Sequence, residues 1–223
     1  FLVTNKEYFP SLEEQYLDYV CLFNQDFFDE VTIRTLDIGG DKIQDYTHLE
    51  NNPALGLRGI RYSLANSDVF KTQLNAIFKV ISNKKKKIRI LLPMISNLDE
   101  LEESISIIDE TKNKYLIDPK LVSLGVVIET PSAALLIKEI CNKVDFISIG
   151  TNDLIQYTIA ADRTNETLGD IISHYQPSVL RMLKLISNEI PDNTYVSICG
   201  EMANDVNCLP IFLAMGVREP SMN

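Results

Sequence analysis

Two short apolar runs separated by an amphipathic segment constrain the fold more than any other feature of this sequence. Val126–Ile128 and Phe146–Ile149 are too short for helices and rich in β-branched residues, which predicts two buried strands. Pro131–Asn142, between them, has apolar residues at helical spacing and begins with a proline suited to a first helical turn. This order predicts two parallel strands joined by a right-handed crossover helix.

An acidic residue follows each of these two predicted strands. Glu129 comes directly after the first strand, and Asp153 follows the second strand. Because the carboxyl ends of parallel strands meet at one edge of a sheet, we expect the two carboxylates to lie side by side. Such an oxygen-rich site suits Mg2+. The alternative is that each acid caps the helix after it, and the spacing alone does not decide between the two.

Strands and helices alternate along the rest of the chain. Further strands are predicted at Val31–Ile38, Gly56–Tyr62, Ile88–Ile95, Tyr195–Cys199 and Glu219–Met222. Further helices are predicted at Ser11–Phe28, Asn66–Ile81, Leu98–Asp109, Pro177–Asn188 and Asp205–Met215. The first of these helices opens with a capping box, formed by Ser11 and Glu14.

This alternation predicts an α/β fold with a parallel sheet of about seven or eight strands. Polar or reactive residues such as Asp37, Glu129 and Cys199 recur where predicted strands end. Their positions favour a (β/α)8 TIM-type barrel, because that fold builds its site from these strand ends. A doubly wound open sheet is the alternative, but Gly39-Gly40 is shorter than its glycine-rich turn. We expect residues 1–223 to form one barrel domain, truncated at both ends.

Composition excludes several classes of protein. The net charge of −10 argues against nucleic-acid binding, and the basic run Lys84–Lys87 is expected to be a solvated loop. No apolar run reaches the length of a membrane span, so we expect no membrane insertion. The four cysteines lack metal-ligand spacing, which favours a reduced, cytoplasmic chain. Because the sequence opens at FLV without an initiator Met, we expect it to be a fragment of a longer protein.

Several arginines are candidates for binding an anion. Arg34 lies inside a predicted strand, where an unpaired guanidinium would be costly, so it needs either an anionic ligand or an acid such as Asp37. A single exposed arginine usually forms a surface salt bridge of small value. Several arginines facing two carboxylates instead favour an anionic ligand with Mg2+ between them. The candidates are Arg34, Arg58, Arg61 and Arg163.

Cys199 ends a predicted strand, immediately before Gly200 and Glu201. A buried cysteine is usually a small hydrophobic residue, whereas at the end of a barrel strand a thiol also serves as an acid or a nucleophile. Both readings stay open from position alone. His48 and His174 have no partner at ligand or triad spacing, so neither is assigned a catalytic role, and His174 is expected to pack or hydrogen-bond in a loop.

Six segments, in order along nearly the whole chain, resemble one known family. They are RTLDIGGDK (34–42), NPALGLRGIR (52–61), LPMI (92–95), GVVIETPSAA (125–134), DFISIGTNDLIQYTIAADR (145–163) and CGEMA (199–203). They resemble the phosphoenolpyruvate-binding C-terminal barrel of Enzyme I, the phosphoenolpyruvate–protein phosphotransferase of the bacterial sugar phosphotransferase system. Pyruvate phosphate dikinase and phosphoenolpyruvate synthase have a similar barrel, and they are the alternative within this class of enzyme.

The resemblance implies a role for each candidate residue. Glu129 and Asp153 would hold Mg2+, and Cys199 would exchange the proton at the methylene carbon as enolpyruvate becomes pyruvate. The arginines and the metal would stabilise charge on the phosphoryl group during transfer. The residues that would bind phosphoenolpyruvate are Arg34, Arg58, Asn152, Asp153 and Arg163.

The resemblance also implies partners, and this sequence departs from the family's pattern at two places. In this family a histidine on a separate N-terminal domain accepts the phosphoryl group and passes it to the carrier HPr, and the barrel forms a homodimer. Lys6 occupies the position of a further phosphate-binding arginine, and lysine supplies charge without a bidentate fork. The loop around Tyr175–Ser178 is shorter than the family's. These two departures leave open a barrel that senses an anion without turnover.

Overall fold

The structure is a computed structural model, and it describes residues 9–24, 29–38 and 50–221. The chain divides into two compact units. Unit one comprises Phe1–Pro93 and Asp99–Ser123, and unit two comprises Met94–Leu98 and Leu124–Asn223. That residues 1–223 constitute a single phosphoenolpyruvate-binding domain stays a prediction.

Unit one contains a parallel strand pair and amphipathic helices. Its strands are β1 (Glu30–Arg34) and β2 (Lys87–Leu92), and its helices are α1 (Leu12–Phe23), α2 (Ile60–Ala65), α3 (Ser67–Lys84) and α4 (Leu98–Asn113, whose first residue belongs to unit two). β1 pairs with β2 in parallel from Glu30 opposite Lys87 to Arg34 opposite Leu91. The predicted capping box at Ser11 and Glu14 is present and fixes the start of α1.

The core of unit one lies between α1 and α3. Helix α3 is amphipathic, and its apolar face is almost fully buried, as expected from its 3.6-residue period. On α1, Tyr19 is only 3% exposed, and its hydroxyl accepts a hydrogen bond of 3.1 Å from Gln73 Nε2. Burial raises the pKa of Tyr19 to about 12, because the phenolate would lose its hydration there. At the edge of this contact, Lys79 Nζ lies 2.6 Å from Glu13 Oε2.

Unit two carries four parallel strands and five helices among its described residues. The strands are β3 (Val122–Ile128, whose first two residues belong to unit one), β4 (Phe146–Gly150), β5 (Tyr195–Cys199) and β6 (Glu219–Pro220). The helices are α5 (Pro131–Leu135), α6 (Ile137–Cys141), α7 (Thr151–Ile159), α8 (Pro177–Glu189) and α9 (Leu209–Ala214). Each strand pairs in parallel with the next, and every residue of β4 is buried. A continuously apolar strand such as β4 is typical of the centre of a parallel sheet.

The prediction of a (β/α)8 barrel is wrong. The described residues form six parallel strands, and β1 and β6 are each paired on one side only, so the sheet is not closed. One physical reason lies in β6, which has only two residues and ends in Pro220, whose nitrogen carries no hydrogen for a further ladder. The α/β character and the parallel strands are as expected. None of the described helices is both long and apolar enough to cross a membrane.

Two predictions of secondary structure also need correction. Gly56–Tyr62 is not a strand: a 3-10 turn at Pro53–Leu55 leads to Gly59, whose φ of 57° breaks the extended chain before α2. The single helix predicted at Pro131–Asn142 is two short helices, α5 and α6, which meet at Leu136. The helical spacing was correct in the second case, but the backbone at Leu136 (φ −102°, ψ 17°) departs from helical values.

Candidate active site

The carboxyl ends of β3 and β4 carry the two predicted metal-binding acids. β3 and β4 are in register with Ile128 opposite Ile149, which puts Glu129 beside Gly150. Glu129 is 2% exposed, and Asp153, in the first turn of α7, is 6% exposed. A Cβ at Gly150 would lie 2.9 Å from Glu129 Oε2, so glycine is required for the carboxylate to lie over this position. Two nearly buried carboxylates therefore follow adjacent parallel strands.

The Glu129 side chain does not cap the helix that follows it. Thr130 caps α5 instead, by accepting a hydrogen bond of 3.0 Å from Ala133 N. Glu129 Oε1 accepts a hydrogen bond of 2.7 Å from Met94 N. Met94 has a φ of 62°, a left-handed conformation that costs a non-glycine residue on the order of 1–3 kcal/mol. The backbone is thus strained where it orients the carboxylate, which favours a binding role for Glu129 over simple capping.

Hydrogen bonds connect the turn between β4 and α7 to the end of β5. Thr151 Oγ1 donates a hydrogen bond of 2.9 Å to the carbonyl oxygen of Cys199, and Asn152 Oδ1 accepts one of 2.8 Å from Glu201 N. Gly200, between the two anchored residues, has a φ of 99°, in a region that favours glycine. A Cβ there would lie 2.4 Å from Thr151 Oγ1. Gly200 therefore allows the Asn152 amide to approach the strand end.

Cys199 is the last residue of β5 and lies opposite Gly150 in the ladder. Its thiol is half-buried and not disulfide-bonded. Ser148 Oγ donates a hydrogen bond of 3.5 Å to Cys199 Sγ, and Sγ lies 3.6 Å from the carbonyl oxygen of Ile149. The thiol is thus held at the same strand edge as Gly150, in a polar environment rather than in the apolar core.

A cavity of about 140 Å³ in unit two brings together several polar side chains. Asn152, Arg163 and Glu201 line it, together with His174. The backbone nitrogen of Arg163 donates a hydrogen bond of 3.0 Å to Gln156 Oε1, which fixes the start of the loop after α7. The cavity therefore presents a guanidinium and a primary amide, both of which bind anionic oxygens.

Two of the three candidate arginines of unit one, Arg34 and Arg58, lie close to one carboxylate. Arg58 Nη2 lies 3.2 Å from both oxygens of Asp37, and Arg34 Nη1 lies 3.8 Å from Asp37 Oδ2. The Arg34 side chain is 49% exposed, so it is not the buried strand residue that the sequence suggested. Arg61 has a different role: it bonds to the Leu55 carbonyl oxygen at 3.0 Å and lies 3.6 Å from Glu100 Oε1. These contacts hold the turn before α2.

The predicted residues thus fall into two sets, one in each unit. Arg34 and Arg58 share Asp37 in unit one, whereas Asn152 and Arg163 share the cavity in unit two. Lys6, the Gly39-Gly40 turn and His48 lie outside the described residues.

Sequence reasoning missed several residues that shape the site. Met94 contributes through its backbone, and Gly150 and Gly200 contribute by having no side chain. The sequence signals available for them were modest: a Pro-Met pair inside the predicted strand Ile88–Ile95, and a glycine directly after each of two other predicted strands.

His174 was expected to hydrogen-bond in a loop, and it does. Its Nε2 lies 2.8 Å from Asp205 Oδ2, which also accepts a hydrogen bond from the Tyr175 hydroxyl. The Tyr175 hydrogen bond, followed by one from Asn207 N, lowers the pKa of the Asp205 carboxyl to about 2. Asp205 is therefore an anion at neutral pH, beside a histidine that lines the cavity.

Comparison with known proteins finds a matching family model and similar curated relatives. The family model described as "PEP-utilising enzyme, PEP-binding domain" matches residues 1–223. The phosphoenolpyruvate-protein phosphotransferase of Listeria monocytogenes is 40% identical over 100% of this chain and 40% of its own length. That of Bacillus subtilis is 38% identical, with the same coverage. The chain therefore spans about 40% of the length of these curated relatives.

Similarity to solved structures is confined to the fold. A Haloferax volcanii malate synthase superposes with a TM-score of 0.55 and 11% identity, over 93% of this chain and 54% of the other. Identity this low is consistent with a shared arrangement of strands and helices, and it carries no information about the substrate.

Proposed function

Because the chain belongs to the family of PEP-binding domains of PEP-utilising enzymes, we propose that it binds phosphoenolpyruvate together with Mg2+, as the substrate-binding part of a phosphoenolpyruvate–protein phosphotransferase. The observation that carries the proposal is the pair of nearly buried carboxylates, Glu129 and Asp153, that follow adjacent parallel strands. The names of the relatives favour this reaction over that of a dikinase or synthase.

The two carboxylates fit a magnesium ion. Mg2+ is usually held by one or two protein carboxylates, with substrate phosphate and water completing the octahedron. Glu129 and Asp153 supply oxygen ligands only, and Met94 N already orients the Glu129 carboxylate. When bound, the metal would polarise the phosphoryl oxygens and neutralise the charge that develops during transfer.

We assign the anionic ends of the substrate to arginine and amide groups. Arg58, oriented by Asp37, and Arg34 present guanidinium groups suited to bidentate phosphate binding. Asn152 Oδ1 accepts a hydrogen bond from Glu201 N. This contact orients the side-chain amide nitrogen of Asn152 as a donor for an anion. Arg163 would hold the other end of the ligand. These roles come from the resemblance, and the polar lining of the cavity supports those of Asn152 and Arg163.

In the proposed reaction the bond between phosphorus and the enol oxygen breaks, and a histidine nitrogen on another domain takes the phosphoryl group. The electron pair left on the enol oxygen gives the enolate of pyruvate. The Cys199 thiol then donates its proton to the methylene carbon, which completes pyruvate, and the thiolate regains a proton from solvent. Cys199 would act as the general acid, with Ser148 Oγ close enough to stabilise the thiolate.

The remaining features of the parent protein are also proposals. By the same resemblance, the phosphoryl group would pass to an HPr-type carrier, and the domain would form a homodimer in the cytoplasm. Four free cysteines are compatible with a reducing compartment. Analytical ultracentrifugation of the chain tests the dimer: a sedimentation coefficient that stays that of a monomer at every accessible concentration would contradict it.

Calorimetric titration with phosphoenolpyruvate tests the binding site. We expect binding that requires Mg2+ and that weakens at least about tenfold in Glu129→Gln and Asp153→Asn, since each loses one anionic ligand. Glu129→Gln keeps an oxygen that accepts from Met94 N, so its fold should be preserved. Glu139→Gln, which removes an exposed acid on α6, is the matched control and should bind normally. Equal affinity in EDTA, or normal affinity of Glu129→Gln, would contradict the proposal.

A further inference from the structure

Three potential metal ligands of different chemistry converge in unit two, apart from the two acids described above. His174, Asp205 and Cys208 each offer one ligand atom, and these atoms all lie within 4.8 Å of one another. His174 Nε2 and Asp205 Oδ2 are already 2.8 Å apart. The residues come from two separate segments, 31 positions apart for His174 and Asp205, so folding brings them together.

Local backbone structure fixes two of the three ligands. Asp205 caps the 3-10 turn Val206–Cys208, and Cys208 N donates a hydrogen bond of 2.9 Å to its carbonyl oxygen. Asp205 Oδ1 accepts a bond of 2.9 Å from Asn207 N, which turns Oδ2 toward His174. The Asp-x-x-Cys turn therefore presents a carboxylate oxygen and a sulfur on one side. Ligands held in advance in this way lose little conformational entropy on binding an ion.

The burial of the cluster is graded. Cys208 is fully buried, whereas the side chains of His174 and Asp205 are 27% and 21% exposed. An ion would therefore enter from the solvent side, past the imidazole and the carboxylate, and meet the thiol at the inner end. A metal site needs both an entry path from solvent and an inner ligand protected from water. The partly exposed imidazole and carboxylate would provide the entry path, and the buried thiol would be the inner ligand.

We propose that His174, Asp205 and Cys208 form a Zn2+ site. Imidazole nitrogen, thiolate sulfur and carboxylate oxygen are the ligands that Zn2+ uses, whereas Mg2+ and Ca2+ take oxygen ligands. Bonds of about 2.0 to 2.3 Å in a tetrahedron put neighbouring ligand atoms about 3 to 4 Å apart, so small side-chain rotations would close the observed cluster. Three protein ligands leave the fourth position to water.

Binding is a substitution of protons by the metal, with no change of oxidation state. The Cys208 thiol loses its proton to solvent, and so does the nitrogen that faces Asp205 if it carries one. The Tyr175 hydroxyl can keep its hydrogen bond to the Asp205 carboxylate and so hold that ligand in place. This site differs from the proposed Mg2+ site in every ligand, and its existence does not depend on phosphoenolpyruvate binding.

Cobalt is the probe for this experiment, because a thiolate bound to Co2+ gives a charge-transfer absorption that oxygen ligands do not. The reduced, EDTA-treated chain is titrated with Co2+ and then with Zn2+. We expect the thiolate absorption to saturate at one Co2+ per chain and to be displaced by Zn2+, and we expect a more than about tenfold loss of Zn2+ affinity at this site in Cys208→Ala and His174→Gln. His174→Gln changes a partly exposed side chain, so it tests the site even if Cys208→Ala, which changes a buried residue, impairs folding.

Two matched variants separate this site from other binding. Cys141→Ala removes a partly buried thiol elsewhere in unit two, and Glu129→Gln alters the proposed Mg2+ site. Both should retain the cobalt spectrum and the Zn2+ affinity. The proposal is overturned by a wild-type spectrum without thiolate absorption, by an unchanged Zn2+ affinity in folded His174→Gln, or by loss of the absorption in Cys141→Ala.

Discussion

Substituting Gly200 by alanine tests how closely the ends of β4 and β5 are packed. Gly200 has a φ of 99° and a ψ of −179°, a region that costs other residues on the order of 1–3 kcal/mol. The new Cβ would lie 2.4 Å from Thr151 Oγ1 and 2.8 Å from Asn152 Oδ1. Rotating these side chains away would break two hydrogen bonds, each worth about 1 kcal/mol. The sum is a loss of about 4 kcal/mol in the free energy of unfolding.

Substitutions at two other glycines separate the cost of backbone strain from the cost of close packing in this estimate. Gly216 has a φ of 72° but nothing within 4 Å of its Cβ position, so Gly216→Ala should cost about 1–2 kcal/mol from backbone strain alone. Gly169 has a φ of −51° and an ordinary contact of 3.5 Å, so Gly169→Ala should be neutral or slightly stabilising. Urea denaturation measures all three. If Gly200→Ala is no less stable than Gly216→Ala, the argument from close packing is wrong.

Two further predictions concern catalysis and alkaline stability. In the full-length protein, Cys199→Ala should keep phosphoenolpyruvate binding and lose pyruvate formation, as followed by a coupled assay, and turnover at the wild-type rate would remove the proposed role of the thiol. Tyr19 keeps its proton in the folded state up to about pH 12, whereas the unfolded chain releases it near pH 10. The protonated Tyr19 hydroxyl therefore contributes fully to the free energy of unfolding below about pH 10. This contribution, up to about 3 kcal/mol, is lost as the pH rises to about 12. Tyr19→Phe should remove this alkaline loss, at a cost at neutral pH of about 1 kcal/mol for the Gln73 hydrogen bond. Denaturation curves at pH 8 and pH 11 distinguish the two variants, and an equal alkaline loss in Tyr19→Phe would contradict the assignment.

The sequence predicted elements best where periodicity and end signals agree. β5 matches its prediction at both ends, and α8 begins at Pro177 as expected. The prediction failed at Gly56–Tyr62, because apolar residues that alternate with arginines also fit a turn followed by a short helix. The prediction of a closed barrel failed for a different reason. Alternation of strands and helices indicates the class of fold, but it does not show whether the first and last strands of the sheet pair with each other.

The site could be predicted only where side chains carry the chemistry. Glu129 and Asp153 became candidates because each follows a predicted buried strand, and their role in metal binding stays a prediction. The strained Met94 backbone could not be recognised, since no local pattern specifies a left-handed φ for methionine. The meeting of His174 with Cys208 is equally invisible in the sequence, because it depends on packing between distant segments.

The central claim is that the oxygen ligands after β3 and β4 hold a divalent cation against the substrate phosphate. The most direct test is the 31P relaxation of phosphoenolpyruvate in the presence of the chain and Mn2+, a paramagnetic substitute for Mg2+. We predict a strong enhancement with the wild-type chain, relative to Mn2+ in buffer, that Glu129→Gln abolishes and Glu139→Gln retains. An enhancement of equal size in Glu129→Gln would contradict the claim, and so would none in the wild type.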